Sequence, residues 1–229
     1  MNNTFFAAAT AALLLLTGCA SPLQAPVALS KAALQTQGTR IGVAMTAPAK
    51  ADTNFPGAAC LLCLAAASVA NSALTTHTQT LPTEDLMRLK ADVADALRKK
   101  GQTVMVIDQP IDLSALPKLD ALPNRSRVDL SSLRAKYGID KLLVIDITMA
   151  GVTRSYAQYF PTSDPQGIVA GTSYLVNLAD NTYDWYLPLH QVKSSAGPWD
   201  EPPKFPGVSN AYFQAVEGTR DAVLQPLSE

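Results

Sequence analysis

Histidine and cysteine are scarce in this chain, at two and three of 229 residues. Structural zinc takes four Cys or His ligands. Cys60 and Cys63 have only His77 near them in sequence and no second pair, so no metal is expected. His77 stands among Thr75, Thr76 and Thr78, and His190 precedes Ser194 and Ser195. A Ser-His-acid set on these residues stays open, but no Gly-x-Ser-x-Gly elbow supports it. Glycine, at 12 residues, supplies no phosphate-cradling loop, so no cofactor is expected. Charge is equally sparse: 16% of residues are charged and the net charge is −1. Without a basic stripe there is no electrostatic footprint for nucleic acid. These absences leave no catalytic constellation, and the expectation is a protein that is not an enzyme. What remains is ordinary for a folded domain: 48% of residues are hydrophobic, and the length suits one core.

The N-terminus carries the clearest positive signal. Residues 5–16 are a short apolar run, Phe5-Phe6-Ala7-Ala8-Ala9-Thr10-Ala11-Ala12-Leu13-Leu14-Leu15-Leu16. A bilayer span takes about 20 residues, so this run suits a signal-peptide core instead. It ends in Leu16-Thr17-Gly18-Cys19, which resembles the lipobox of bacterial lipoproteins. Met1-Asn2-Asn3-Thr4 departs from the pattern in carrying no Lys or Arg. An ordinary cleaved secretory signal and a buried N-terminal helix are the competing readings. The resemblance implies a signal peptide over 1–18, with diacylglycerol and palmitate on Cys19 as the first mature residue. Several acyl chains hold a domain at a membrane far better than one. Ala20, where inner-membrane lipoproteins carry Asp, implies the outer membrane, periplasmic face. The membrane is then a partner through the lipid alone.

Residues 19–38 read as a tether, and 39–229 as a single α/β domain. Arg40–Met45 reads as a strand. Residues 58–74, from Ala58 to Leu74, are rich in Ala, Leu, Cys and Val and hold no charge. Alanine favours helix. A helix without charge is buried, forms an interface, or meets a membrane; a buried core or subunit-interface helix is the expectation. Residues 75–81 read as a short extended segment. Residues 84–100 are the best helix, with Thr83 as cap, Glu84 and Asp85 in the first turn, and Arg98, Lys99 and Lys100 in the last. Leu86, Leu89, Val93 and Leu97 make its apolar stripe, along which the Lys90 stem can lie. A strand over 102–107, a Pro-marked connector, and a helix over 130–137 capped by Asp129 follow. Residues 141–147 read as a central strand, with a hairpin partner expected in 152–160. Tyr174, Val176 and Leu178, then Tyr183, Trp185 and Leu187, alternate around an Asp180-Asn181 turn as a β-hairpin. A last helix is expected over 210–224, capped by Ser209. The order predicts an α/β (α+β) sandwich: one mixed, partly antiparallel sheet packed by helices.

Residues 84–224 resemble small envelope lipoproteins that share the α/β domain of the curli export channel and of the TolB N-terminal domain. The resemblance rests on Leu97-Arg98-Lys99-Lys100-Gly101, the 104–107 strand, Tyr137-Gly138-Ile139-Asp140-Lys141-Leu142-Leu143-Val144 and the hairpin from Leu175 to Trp185. It implies fold and compartment, and a role as a partner in export, assembly or regulation, often as an oligomer. The chain departs from the channel in having no evident pair of amphipathic membrane hairpins.

Cys60-Leu61-Leu62-Cys63 has thioredoxin-like spacing, but its flanks are apolar and neutral. A structural disulfide or buried thiols stand ahead of redox catalysis. Trp199 in its Pro-rich acidic loop, with Tyr156, Tyr159 and Phe160, reads as a partner surface, since aromatics anchor interfaces; packing against the sheet is the competing reading. The functional expectation is a non-enzymatic binding or assembly component of the envelope. Its alternatives are an oligomeric accessory of an export system, with residues 58–74 as interface, and a periplasmic thiol oxidoreductase or hydrolase.

Overall fold

The structure, a computed structural model, describes residues 24–35 and 38–228. Strand β4 (Lys141–Thr153) is its spine. Leu143, Ile145 and Ile147 enter one core and Leu142 and Val144 another. A strand covered on both faces needs no polar alternation, which explains the unbroken apolar run. β1 (Arg40–Met45) lies parallel along the first half of one edge of β4. β2 (Asp52–Asn54) lies parallel along its last residues. β3 (Thr103–Val106) adds parallel outside β1. On the other edge β7 (Gln166–Asn177) and β8 (Tyr183–Ser194) run antiparallel. The sheet order is β3-β1-β4-β7-β8, with β2 also on β4. This is a mixed α/β fold.

Helices cover both faces. α4 (Glu84–Lys99) and α6 (Pro206–Ser228) share one face, where Leu86, Leu89, Val93 and Leu97 meet Tyr212, Ala215, Val216 and Val223. Lys90 lies along this stripe as expected, its Nζ donating to the carbonyls of Ile107 (2.9 Å) and Asp108 (3.1 Å). Arg220 pairs with Asp92 at 2.9 Å and ties the two helices at the surface. The opposite face is covered by α5 (Ser132–Tyr137) and the connector before it, through Ile107, Ile111, Leu130 and Leu133. Asn181, at φ 62°, turns the β7–β8 hairpin. Its side chain accepts from Leu130 N–H (2.8 Å) and donates to Asp129 (2.9 Å), which fixes the connector.

Three local expectations are corrected. Residues 75–81 are not extended: α3 (Ser72–Thr78) takes 75–78, with Thr78 Oγ1 donating back to the Leu74 carbonyl at 2.8 Å, and turns follow over 79–81. Val152 and Thr153 are the end of β4 itself, and residues 154–160 do not return along it, because β7 occupies that edge from Lys141 to Thr153. They form instead a small hairpin of β5 (Tyr156–Ala157) and β6 (Phe160–Pro161), turned at Gln158 with φ 56°. The last helix begins at Pro206, four residues before the expected start at 210. Proline suits the first helical position, where no N–H partner is needed.

The stretch expected as a tether is packed chain over much of its described part. Val27 exchanges both backbone hydrogen bonds with Tyr186 of β8 (2.9 and 3.0 Å). Ser30 caps the short helix α1 (Lys31–Leu34), in which Ala33 and Leu34 are buried. Lys141 Nζ donates to the Ala33 carbonyl at 2.7 Å and pairs with Asp184 at 2.8 Å. Cys19 and the signal region lie outside the described residues. Among those described, no helix is long and apolar enough to cross a membrane.

Candidate docking surface

The uncharged stretch folds as two helices, α2 (Leu61–Ala70) and α3, broken at Asn71. Cys60 is the N-cap of α2, its Sγ accepting the Cys63 N–H at 2.9 Å. Cys63 and Ala67, four residues apart, point inward onto Phe55, Ala58 and Tyr156. Nothing described covers the rest of α2. Leu61 is 90% exposed, Leu62 73%, Leu64 45% and Val69 76%. Of the two expected settings, the core one is corrected: two inward residues are enough to seat α2, and its apolar outer face is open. Tyr159 and Phe160, at 49% and 74% exposure, stand on the β5–β6 hairpin beside it. Tyr159 Oη lies 3.7 Å from Cys60 Sγ. Exposed leucines and aromatics thus stand at the same end of the sheet, where β4 finishes, linked through the Cys60–Tyr159 contact. The largest such patch on a monomer is about 300–600 Å² and is often functional.

A polar network holds this surface in place. Asn71 is buried, and its amide donates to the Ala67 carbonyl (2.7 Å) and to Tyr156 Oη (2.6 Å). Its Oδ1 accepts from Arg154 Nη1 at 2.9 Å. Arg154 also donates to the Ser163 carbonyl (3.2 Å) and lies 4.7 Å above the Trp199 ring. One buried amide thereby joins the α2–α3 junction, the end of β4 and the Pro-rich loop. The sequence offered one hint of this: Asn71 is a poor helix former inside an Ala-rich run, where it competes for backbone hydrogen bonds. Its partner Arg154 carried no sequence signal of its own, and Tyr156, read with Tyr159 and Phe160 as a recognition aromatic, is instead buried against Phe55 and Cys63.

Trp199 is not on the exposed surface with Tyr159 and Phe160. It stacks on Phe205, with centroids 6.2 Å apart, under Arg154. Phe205 in turn meets His77, whose Nε2 lies 2.7 Å from Ser209 Oγ. Burial, and then the nearby Lys204 charge, hold the His77 pKa below the usual imidazole value. No carboxylate is hydrogen-bonded to His77 among the described residues, and Ser209 Oγ donates to the Phe205 carbonyl (3.1 Å). His190 is exposed on β8, opposite Ala170. Among the described residues, no group of His, Cys, Asp or Glu is arranged to hold a metal. Cys60 and Cys63 are joined as a disulfide, with Cα atoms 4.9 Å apart.

Fold and surface define a mixed α/β domain that presents an apolar helix and an aromatic hairpin at one end. No protein-family model matches the chain, and no curated protein matches it. Among solved structures it is similar to the PelC dodecamer from Paraburkholderia phytofirmans, at 10% identity over 90% of this chain and 96% of that one, with a TM-score of 0.36. It is also similar to the lipoprotein GNA1162 from Neisseria meningitidis, at 16% identity over 79% of this chain and 96% of that one, with a TM-score of 0.28. Likeness at this level transfers neither function nor assembly.

Proposed function

We propose that the protein is a lipid-anchored component of the outer envelope that works by docking to other envelope proteins and not by catalysis. The observation that carries this reading is the open apolar face of α2 with Phe160 beside it. Side chains of this kind stay in water at a cost of about 25 cal/mol per Å² and are kept exposed when something covers them. The lipobox ending in Cys19 supports the anchor. Chain geometry supports an outward-facing surface. Gln24 is tied to Asn124, which accepts from the N–H of Tyr183 at the start of β8. The apolar surface lies past the other end of β8, roughly 36 Å along the strand at 3.3 Å per residue. Five residues of chain from Cys19 to Gln24 reach at most about 18 Å. A lipid on Cys19 would therefore hold the Gln24 end of the domain at the membrane, with the apolar surface at the opposite end of β8.

The test has two arms. Cys19→Ala should release the protein from the membrane fraction; a variant that stays bound refutes the anchor. A photoreactive residue at position 62 should give a discrete crosslinked species in intact envelopes, and none when placed at Met87 on α4. Equal crosslinking at both positions refutes the docking role. A second reading is self-assembly through α2, favoured by Ala65, Ala66 and Ala70 among its exposed residues, since small side chains let helices approach closely. Light scattering on the detergent-solubilised protein decides it: an oligomer that Leu62→Asp dissolves supports self-assembly, and a strict monomer refutes it.

A further inference from the structure

We infer that Cys60–Cys63 is an exchange-reactive disulfide, in which Cys60 is the sulfur that forms a mixed disulfide with the thiol of an apolar peptide segment. The inference uses the surface described above and does not depend on the lipid anchor.

The two sulfurs are placed unequally. Cys63 is 1% exposed, packed on Phe55, Ala67 and Tyr156, whereas Cys60 is open to solvent. An attacking thiolate must reach one sulfur of the pair, and only Cys60 offers it. The electrostatics favour Cys60 as a thiolate once the bond opens. Its Sγ already accepts the Cys63 N–H at 2.9 Å, at the positive end of the ten-residue helix α2. A bonded sulfur has no hydrogen to give, so the Tyr159 hydroxyl is the donor across the 3.7 Å contact. Donors and a helix N-terminus lower a cysteine pKa below its free value of about 8.5. A sulfur stabilised in this way is also the better leaving group.

The surroundings select the ligand. Leu61 and Leu62 follow the sulfur in the chain and are exposed, Tyr159 lies 3.7 Å from it with exposed Phe160 next in sequence, and residues 58–74 hold no charge. A thiol on a Leu- or Phe-rich segment gains apolar contact there, and a charged tripeptide thiol such as glutathione does not. The fold also survives opening of the bond. Cys63 remains a small buried apolar residue, and α2 stays fastened through Asn71 to Tyr156 and Arg154.

The exchange balances in two steps. A thiolate of the client peptide attacks Cys60 Sγ; the Cys60–Cys63 bond breaks, its electron pair leaves on Cys63 Sγ, and that sulfur takes a proton from water. A second client thiolate then attacks the client sulfur of the mixed disulfide. Cys60 leaves as a thiolate, and the client gains a disulfide. Two electrons pass from client dithiol to protein.

The test uses the full-length protein in detergent, with peptide mapping to locate adducts. A short Leu/Phe peptide carrying one cysteine should add to Cys60 of the oxidised protein roughly tenfold faster than glutathione does. That preference should shrink in a Leu61→Ser, Phe160→Ser variant. In Cys63→Ser, alkylation of Cys60 at pH 6 should exceed that of free cysteine by roughly tenfold. An inert disulfide in the wild type, or a Cys60 that alkylates like free cysteine, overturns the inference and leaves a structural staple. Adducts on Cys63, or equal rates for both thiols, overturn the assigned sulfur and the assigned ligand respectively. A reactive Cys60 with no crosslinking at position 62 would retain this inference while removing the docking role.

Discussion

The two ends of the sheet handle apolar side chains in opposite ways. Where β1, β4 and β7 run together, Leu97, Leu143 and Val93 are sealed between sheet and helices. At the far end, α2 buries Cys63 and Ala67 and leaves four large apolar side chains in solvent. Residue type alone does not distinguish the two, since leucine dominates both. The difference lies in what is above them: α4 and α6 roof the first region, and nothing described roofs the second. Apolar sequence therefore states that a surface will be covered, and not by which chain.

The widest contrast is in stability. Leu143→Ala or Leu97→Ala in the sealed region should cost about 2–5 kcal/mol, the range for core truncations. Leu62→Ala should stay within about 0.5 kcal/mol, as surface changes do. Urea unfolding of each variant measures both, and a large cost at Leu62 would mean that α2 is core after all. Next comes the network beneath the exposed end. Asn71→Ala strips a hydrogen bond from buried Tyr156 Oη and one from half-buried Arg154, which keeps the Ser163 carbonyl. A loss of about 1–3 kcal/mol is expected. Amide exchange should rise in α2 and α3 while α4 keeps its protection.

Smaller effects belong to the opposite end. Lys141→Met removes the donor to the Ala33 carbonyl and the pair with Asp184. Amide exchange of residues 24–34 should accelerate, since this is the link that fastens them beside β8. If those amides are unchanged, the Val27–Tyr186 pairing suffices alone.

The pH dependence is weaker still. The hydroxyl and then the N–H of Ser131, with the Asn181 amide, hold Asp129 below the usual carboxylate range. The Thr182 N–H and hydroxyl do the same for Asp180. A folded pKa below the unfolded one, about 3.9, means stability that is fully present above that value. It is lost as pH falls through the unfolded value toward the folded one. Asp180 is exposed and Asp129 half-buried, so the effect is a modest slope below about pH 4. Asp129→Asn should flatten that slope; an unchanged acid titration contradicts the assignment.

The core was legible in the sequence because its periodicities are strong. The stripe Leu86, Leu89, Val93, Leu97 and the continuous run of β4 each dictate an element and its burial. Turn chemistry was legible too, in the Asp180-Asn181 pair. Edge competition was not. Nothing local in residues 152–160 tells that β7 takes the edge of β4 that they were expected to use. The surface was half legible. Residues 58–74, Tyr159 and Phe160 were each read as contact residues, yet their adjacency depends on the β5–β6 hairpin and on Asn71. Trp199 was read with them, and instead fills the gap between Arg154 and Phe205. An aromatic in a polar loop carries no local mark of whether it faces outward or back onto the domain.

The most direct test is hydroxyl-radical footprinting of the protein in intact envelopes and again after purification in detergent. The account predicts that Leu61, Leu62 and Phe160 are shielded in the envelope and open when purified, while exposed Leu122 is labelled equally in both. Equal labelling of all four residues in the two states would contradict a docking role for the apolar end.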